Sequence, residues 1–134
     1  MIPPMPTRER LKKAFADFEY RQAYQDEHCV TVIATQIYQM RLARGWTQAQ
    51  LAKRAGVDGK RIRQVEEVDY RAWTLPLLRK LCRAFDTGLI VRLVSFDRVL
   101  DDLETWAGEL TPEPWEAPKV KRRRGVRSHC APPR

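Results

Sequence analysis

The stretch that decides the fold is residues 47–67, TQAQLAKRAGVDGKRIRQVEE, which predicts two short helices joined by a tight turn. Thr47 can cap the free amides of the first helix, and Asp58 can do the same for the second. Gly56 stands where a helix ends in a left-handed residue, a conformation that glycine adopts at little cost. The apolar residues of the pair recur at helical spacing and predict one buried face: Leu51, Ala52, Val57, Ile62 and Val65.

The second helix of this pair turns its remaining residues outward: Gly59, Lys60, Arg61, Arg63 and Gln64. Arginine and lysine side chains match guanine O6 and N7, and glutamine can pair with adenine through two hydrogen bonds. A helix-turn-helix places its second helix in the major groove, with the N-terminal residues nearest the base edges. The pattern therefore predicts DNA binding. The alternative is a helical hairpin whose polar face is simply solvated.

The chain resembles the phage-repressor or Xre-like helix-turn-helix family over about residues 20–98. Residues 36–46 (QIYQMRLARGW) resemble the first helix of the family, and residues 74–86 (TLPLLRKLCRAFD) resemble the fourth. Residues 86–96 (DTGLIVRLVSF) resemble a bacterial subgroup in which one strand follows the helices. The central pattern is Thr47-Gln48, Leu51-Ala52, Gly56-Val57, Ile62 and Val65-Glu66. The resemblance implies a mostly α bundle of four to five helices with one C-terminal β-strand that pairs across a dimer.

The resemblance also implies roles for individual residues. Gln48 falls where family members touch a DNA phosphate, whereas Gly59, Lys60 and Gln64 fall on positions that often face bases. Glycine has no side chain with which to read a base, so specificity at this site shifts onto Lys60, Arg61 and Gln64. The full predicted DNA-binding set is Thr47, Gln48, Gly59, Lys60, Arg61, Arg63, Gln64 and Arg71.

Arg41 and Glu66 fall on a residue pair that bridges the first and third helices in the family. The resemblance therefore implies a structural ion pair rather than a ligand contact. Desolvation offsets much of the attraction in a partly buried pair, but removal of one partner leaves an unpaired charge and is costly.

Charge is distributed unevenly along the chain, whose formal net charge is +8. Residues 31–71 hold eight basic and four acidic side chains, whereas residues 95–118 hold one basic and seven acidic. Residues 119–134 hold seven basic side chains and no acidic one. A moderately basic core suits a DNA-binding protein, and the last segment is a separate cationic arm.

The cationic arm has few apolar residues and, with Pro118 just before it, three prolines, a composition that predicts disorder in the free protein. It can extend the DNA contact by binding phosphates, for which we assign Lys121, Arg122, Arg123 and Arg124. Two alternatives stay open. The arm can fold back on the acidic residues between 97 and 116, or it can be a solubilising tail without a partner.

Residues 89–96, LIVRLVSF, predict a β-strand because they are β-branched or large and apolar, and Gly88 before them can stop a helix. A single strand cannot satisfy its backbone amides and carbonyls, so we expect it to pair with its copy in a second subunit. The predicted dimerisation residues are Leu89, Val91 and Leu93. The alternative is that residues 90–94 continue the preceding helix. A short helix containing Val99, Leu100, Leu103 and Trp106 is expected beside the interface.

The predicted domain division is an extra N-terminal helical segment at 1–30, the DNA-binding domain at 31–87, a dimerisation segment at 88–110 and a tail at 111–134. Residues 8–18 predict an amphipathic helix, and residues 20–44 predict a second helix with a break or bend near 30–33. Since a DNA-binding core does not need the first segment, we expect it to cover the core or to meet a partner protein.

Several classes of protein receive no support from the sequence. It contains no phosphate loop, nucleophile elbow, zinc-protease motif or dinucleotide turn, and we predict no enzyme activity, cofactor or metal. The two His-Cys pairs, at 28–29 and 129–130, lack zinc-finger spacing. The three cysteines are odd in number and widely separated, which favours reduced thiols. No apolar run is long enough to cross a membrane, and the N-terminus does not read as a secretory signal.

The sequence therefore predicts a DNA-binding regulator of transcription, a repressor that acts as a homodimer on a palindromic operator. We expect it in the cytoplasm of a bacterium or a phage host, associated with the nucleoid. One alternative is the antitoxin of a toxin–antitoxin pair, with the toxin bound at the extra N-terminal helix. Another is a protein-interaction adaptor, which Gly59, Glu67 and Asp69 favour. RNA binding through the arginine-rich tail is the third.

Overall fold

The computed structural model describes residues 8–103 and 111–116, and these contain six helices and no strand. The helices are α1 (Arg8–Ala14), α2 (Phe18–Ala43), α3 (Gln48–Ala55), α4 (Gly59–Val65), α5 (Leu75–Phe85) and α6 (Phe96–Asp102). The mostly α fold is as predicted. None of the helices in these ranges is long and apolar enough to span a membrane. The strand predicted at residues 89–96 is not observed in the described part of the chain.

Local hydrogen bonds set the ends of α3 and α4, as the sequence predicted. Thr47 accepts a hydrogen bond from the Gln50 amide while the Gln50 side chain accepts one from the Thr47 amide, which forms a capping box. Gly56 ends α3 in the left-handed conformation, with φ 68° and ψ 36°. Asp58 then caps α4 by accepting from the Lys60 amide at 3.1 Å. The turn is therefore only three residues long and holds the two helices in a fixed relation.

One hydrophobic core joins the C-terminal half of α2 to α3, α4 and α5. Its buried residues are Ile37, Met40, Leu51, Ala52, Ala55, Ile62, Val65, Leu77, Leu81 and Phe85. Trp46 covers one edge and stacks on Phe85, with the ring centroids 5.5 Å apart. This core supports α4 rigidly and fixes the direction in which its outer face points.

α2 runs without interruption through residues 30–33, so the predicted break in that run is wrong. Val30 is buried and Ile33 packs against the core, and this burial outweighs the small helix penalty of β-branched residues. At about 1.5 Å per residue the helix is about 39 Å long, which extends it well beyond the core.

A second, smaller core lies on the N-terminal half of α2. Leu11 and Phe15 at the end of α1 pack with Leu100 of α6, and partly buried Tyr24, Phe96 and Leu103 surround them. An ion pair between Arg8 and Asp101 also joins α1 to α6, at 2.6 Å. The predicted helix at 8–18 ends at Ala14 instead, because Asp17 caps α2 by accepting from the Tyr20 amide. Trp106, predicted for the α6 helix, lies outside the described residues.

Two side chains beside the second core have shifted pKa values. Burial lowers the pKa of His28 below its ordinary value, and the nearby carboxylate of Asp102 partly opposes that shift. Burial also raises the pKa of the Tyr24 phenol, with a further contribution from Tyr20. The imidazole of His28 and the ring of Tyr24 are stacked, with centroids 6.0 Å apart. The neutral forms of both side chains are therefore favoured in the folded protein.

Residues 87–95 connect the two cores as an irregular segment that is neither helix nor strand. Asp86 ends α5 with φ 56°, so Gly88 is not the helix stop, and the alternative in which α5 continues through 90–94 is excluded. Phe96 belongs to α6, whose cap is Ser95, and residues 89–95 have no strand pairing, so the strand predicted at 89–96 is not observed in the described chain. The segment exposes its apolar side chains, with Ile90 79% and Val91 69% exposed.

A short segment at 111–116 lies against the C-terminal end of α5. The amide of Trp115 donates to the carbonyl of Asp86 at 3.2 Å. Arg44, at the end of α2, donates from one nitrogen to the carbonyls of Phe85 at 3.2 Å and Pro112 at 2.9 Å. Nothing in the sequence pattern indicated this role for Arg44, because its partners lie 41 and 68 residues away.

Candidate nucleic-acid interface

α4 has one buried face and one outer face. Ile62 and Val65 are fully buried and fix the rotation of the helix on the core. With about 100° between successive residues, Lys60, Arg63 and Gln64 fall within one arc of about 100° on the opposite side. All three are exposed, and their side chains have no hydrogen-bond or ion-pair partner among the described residues. Their donors and acceptors are therefore available to an external ligand.

Gly59 begins α4 and leaves an opening in this outer face. A Cβ atom placed there would meet nothing within 4 Å, and its φ is not in the left-handed region. Neither packing nor backbone conformation therefore requires glycine at this position. Its effect is on the surface, because this position of the outer face carries no side chain.

Arg41 and Glu66 form an ion pair between α2 and the end of α4. The Arg41 Nε atom lies 2.5 Å from Glu66 Oε1, and Nη2 lies 3.3 Å from Oε2. Arg41 Nη1 also donates to the carbonyl of Trp46 at 2.9 Å. The two side chains are only 11% and 7% exposed, so the pair is largely shielded from water. It ties three chain segments together and restrains the angle of α4.

Gln48, at the first position of α3, joins the same carboxylate. Its Nε2 donates to Glu66 Oε2 at 2.8 Å, and the side chain is half-buried. A primary amide nitrogen carries two hydrogens, so one N–H of Gln48 remains for another acceptor. Sequence reasoning placed Gln48 at a phosphate but missed this bond. The structure brings Arg41, Gln48 and Glu66 into one network directly beside the outer face of α4.

Residues 37–90 match a protein-family model described as helix-turn-helix, and the match begins in α2 and runs past the end of α5. This segment is a helix-turn-helix domain of the Xre-like family. The family is one of DNA-binding transcription regulators rather than enzymes. Comparisons with curated proteins and with solved structures gave no match.

Arg61 lies on a different side of α4 from the other basic residues of that helix. By helical rotation Arg61 lies about 40° from buried Val65. Its side chain lines a groove between the turn and α5, together with Thr74, Pro76 and Lys80. Arg61 therefore lies on the flank of α4 that faces α5, outside the arc of Lys60, Arg63 and Gln64.

Arg71 follows the helix-turn-helix and forms an ion pair with Glu27 of α2. Both side chains are at least half exposed, so this pairing can be exchanged for another anion at little cost. Thr47 is committed to its capping box, although its side chain remains exposed. DNA contact by Thr47 and Arg71 stays a prediction.

The predicted dimerisation residues lie beyond the helix-turn-helix. Leu89 is half-buried, Val91 is exposed, and Leu93 is fully exposed. The predicted phosphate contacts of the tail, Lys121, Arg122, Arg123 and Arg124, lie outside the described residues. Among the described histidines, cysteines and carboxylates, no group of three or more is placed to hold a metal ion.

Proposed function

We propose that this protein binds operator DNA in a sequence-specific manner as a homodimer and represses transcription. The observation that carries the proposal is the outer face of α4, on which Lys60, Arg63 and Gln64 are exposed and unpaired in the described structure. The fully buried Ile62 and Val65 behind them keep the face in one orientation. A rigid helix with free donors is what readout of base edges in the major groove requires.

α4 enters the major groove with its N-terminal turn leading. Lys60 then donates to guanine O6 or N7, and Gln64, one turn further along, pairs with adenine. Arg63 lies at the edge of the arc and reaches a guanine or the flanking phosphate. Gly59 contributes no base contact, so the sequence read by one subunit is short. Specificity then depends on a second copy of the domain.

The half-buried Gln48 positions the domain on the DNA backbone. One of its amide hydrogens is engaged with Glu66, and the second is directed to a phosphate at the N-terminus of α3. Because Glu66 also holds Arg41, the phosphate contact and the angle of α4 are mechanically linked. Phosphate binding by Gln48 therefore sets the register in which Lys60 and Gln64 meet the bases.

The homodimer forms through residues 89–94. This segment exposes Ile90, Val91, Leu93 and Val94, and an isolated chain leaves its backbone groups without ladder partners. Antiparallel pairing with the same segment of a second subunit covers the apolar side chains and satisfies the backbone. The two copies of α4 then meet half-sites about 34 Å apart on a palindromic operator.

Selection of bound sequences from a pool of random duplexes tests this function, and footprinting then measures the protected site. Enrichment of an inverted repeat with about one helical turn between its half-sites is the expected result. A pool without any enriched sequence would contradict specific binding, and a single half-site would contradict the dimer. A reporter gene placed behind the selected site should lose expression, and a rise in expression would contradict repression.

A second role, toxin binding as an antitoxin, is supported by the N-terminal half of the chain. The second core holds α1 and α6 against α2 and is separate from the helix-turn-helix core. Beside it Phe18 is 57% and Tyr20 44% exposed, and such large aromatic side chains are common anchors of protein interfaces. Replacement of Phe18 by serine should then impair neutralisation of a cognate toxin while leaving operator affinity intact. Loss of both together would contradict a separate docking site.

A further inference from the structure

Two adjoining grooves lie between the helix-turn-helix turn and α5, away from the outer face of α4. Their volumes are about 300 and 490 Å³, and both are bounded by Gly56, Pro76 and Lys80. The first extends toward Arg61 on α4, and the second toward Arg54 on α3. Together they form one surface, which we call the basic groove.

Five cationic side chains line the basic groove: Arg54, Arg61, Arg79, Lys80 and Arg83. All five are exposed, and none forms an ion pair with a carboxylate in the described parts of the chain. Asp58 is the one acidic residue among the described lining residues, and its carboxylate already caps α4. Five cationic side chains against one carboxylate leave this surface with a net positive charge in the described structure.

Like charges lie next to one another on α5. Their repulsion destabilises the helix, and an acidic binding partner would relieve it. Arg79 and Arg83 are four residues apart and Lys80 and Arg83 are three apart, so these like charges are neighbours on one helix face. Such pairs destabilise a helix unless an anion lies between them. α5 has no acidic residue in its sequence LPLLRKLCRAF with which to balance them.

The base of the basic groove is apolar. Ala55, Val57, Pro76 and Leu77 form it, and Leu77 and Ala55 belong to the buried core beneath. Surfaces that bind a nucleic-acid backbone are more polar than protein–protein interfaces, because their contacts are mainly hydrogen bonds to phosphate and sugar. An apolar floor with a cationic rim matches instead a peptide that carries apolar and acidic side chains together.

We infer that the basic groove is a docking surface for an acidic segment of a partner protein, one that inserts an apolar side chain between α5 and the turn. Glutamate and aspartate side chains of the partner pair with Arg79, Lys80 and Arg83. Its apolar side chain covers Pro76 and Val57. This surface is independent of the proposed DNA site, because it uses the C-terminal end of α3 and the middle of α5 rather than Gln48 and the outer face of α4.

The test is fluorescence anisotropy of the full chain with a labelled synthetic peptide that alternates glutamate pairs with leucine. Two companion peptides replace either every glutamate by glutamine or every leucine by serine. The groove variant is Arg79→Glu with Lys80→Glu. The matched control is Lys12→Glu with Lys13→Glu on α1, which has the same change of net charge at two exposed lysines.

The groove variant should bind the acidic peptide about tenfold or more weakly, while the control variant stays within about twofold of the wild type. Both companion peptides should bind the wild type more weakly than the acidic–apolar peptide. Absence of binding by the wild type, equal binding of the glutamine peptide, or equal losses in groove and control variants would overturn the proposal.

Random duplex DNA, titrated in parallel, distinguishes a protein partner from a nucleic acid. A loss of duplex affinity in the groove variant as large as the loss of peptide affinity would assign the surface to nucleic acid and overturn the proposal. Amide chemical shifts of the wild type locate the peptide without any substitution. Shifts at residues 54–58 and 76–83 are expected, whereas shifts confined to Lys60, Arg63 and Gln64 would place the peptide on the DNA face and overturn the proposal.

Discussion

The side chain of Gln48 donates a hydrogen bond to Glu66, 2.8 Å from nitrogen to oxygen, and the same carboxylate holds Arg41. The first residue of α3 is therefore linked through one acidic side chain to the end of α4 and to α2. In the proposed complex, this link transmits the position of a bound phosphate to the helix that reads the bases.

Glu66→Ala should destabilise the protein by about 3–5 kcal/mol, because it leaves the guanidinium of Arg41 buried without its carboxylate. Urea unfolding followed by circular dichroism measures the change. Glu67→Ala is the matched control, since Glu67 is the exposed neighbouring residue and should change stability by less than about 0.5 kcal/mol. A loss at position 66 no larger than the loss at 67 would contradict a structural role for the pair.

Lys60→Ala and Gln64→Ala should each reduce affinity for the selected operator by about 1–3 kcal/mol and affect random DNA little. The reason is that both side chains lie on the outer arc of α4 and have no other partner in the described structure. Anisotropy titrations with both DNAs measure the two affinities, with Lys53→Ala on α3 as an exposed lysine control. Equal losses on operator and random DNA would mean that these residues touch only phosphate.

Val91→Pro should convert the dimer to a monomer, since proline removes a backbone donor from the proposed strand pair. Operator affinity should fall steeply as well, because one assembly can no longer hold both half-sites. Sedimentation equilibrium gives the mass, and Val91→Thr, which keeps a β-branched side chain and the backbone donor, is the control. If the proline variant retains the dimer mass, the subunit contact lies elsewhere.

Deletion of residues 119–134 should flatten the dependence of log affinity on log salt concentration. The segment has seven basic side chains, and contact of three or four with phosphates would change the slope by about three units at about 0.9 per contact. Titrations between about 50 and 200 mM salt give the slope. We expect the thermal midpoint to stay nearly unchanged, because the segment has little apolar surface to bury. An unchanged slope would remove the tail from the DNA interface.

The stability of the protein should fall on acidification through the titration of His28. Its folded pKa lies below its ordinary value of 6.5, so the unfolded chain binds more protons at pH values around and below 6.5. The contribution is complete at higher pH and is lost as the pH falls through the folded pKa. His28→Gln should lack this component of the dependence of stability on pH. If stability depends on pH in the same way in the variant and the wild type, His28 does not contribute to the loss of stability in acid.

Local interactions explain why the helix-turn-helix could be predicted from the sequence. The capping of α3 by Thr47 and of α4 by Asp58 joins residues two or three positions apart, so the residue types and their spacing were sufficient. The helix end at Gly56 could be predicted for the same reason, since the left-handed conformation is a property of one residue. The buried face of Leu51, Ile62 and Val65 followed from helical periodicity alone.

Only the tertiary structure decided which polar side chains pair and which remain free. Gln48 bonds to Glu66, 18 residues away in sequence, and Arg71 bonds to Glu27, 44 residues away, although neither pairing leaves a pattern in the sequence.

Packing also made α2 continuous where β-branched residues predicted a break, because the burial of Val30 and Ile33 outweighs a weak intrinsic preference against helix. Arg61 and Lys60 are adjacent in sequence, yet the rotation of α4 on its core places one in the groove beside α5 and the other on the outer face. The sequence by itself determined the helices and their ends, because those depend on neighbours along the chain. The chemistry of each surface depended on how the shared core of α2, α3, α4 and α5 orients them.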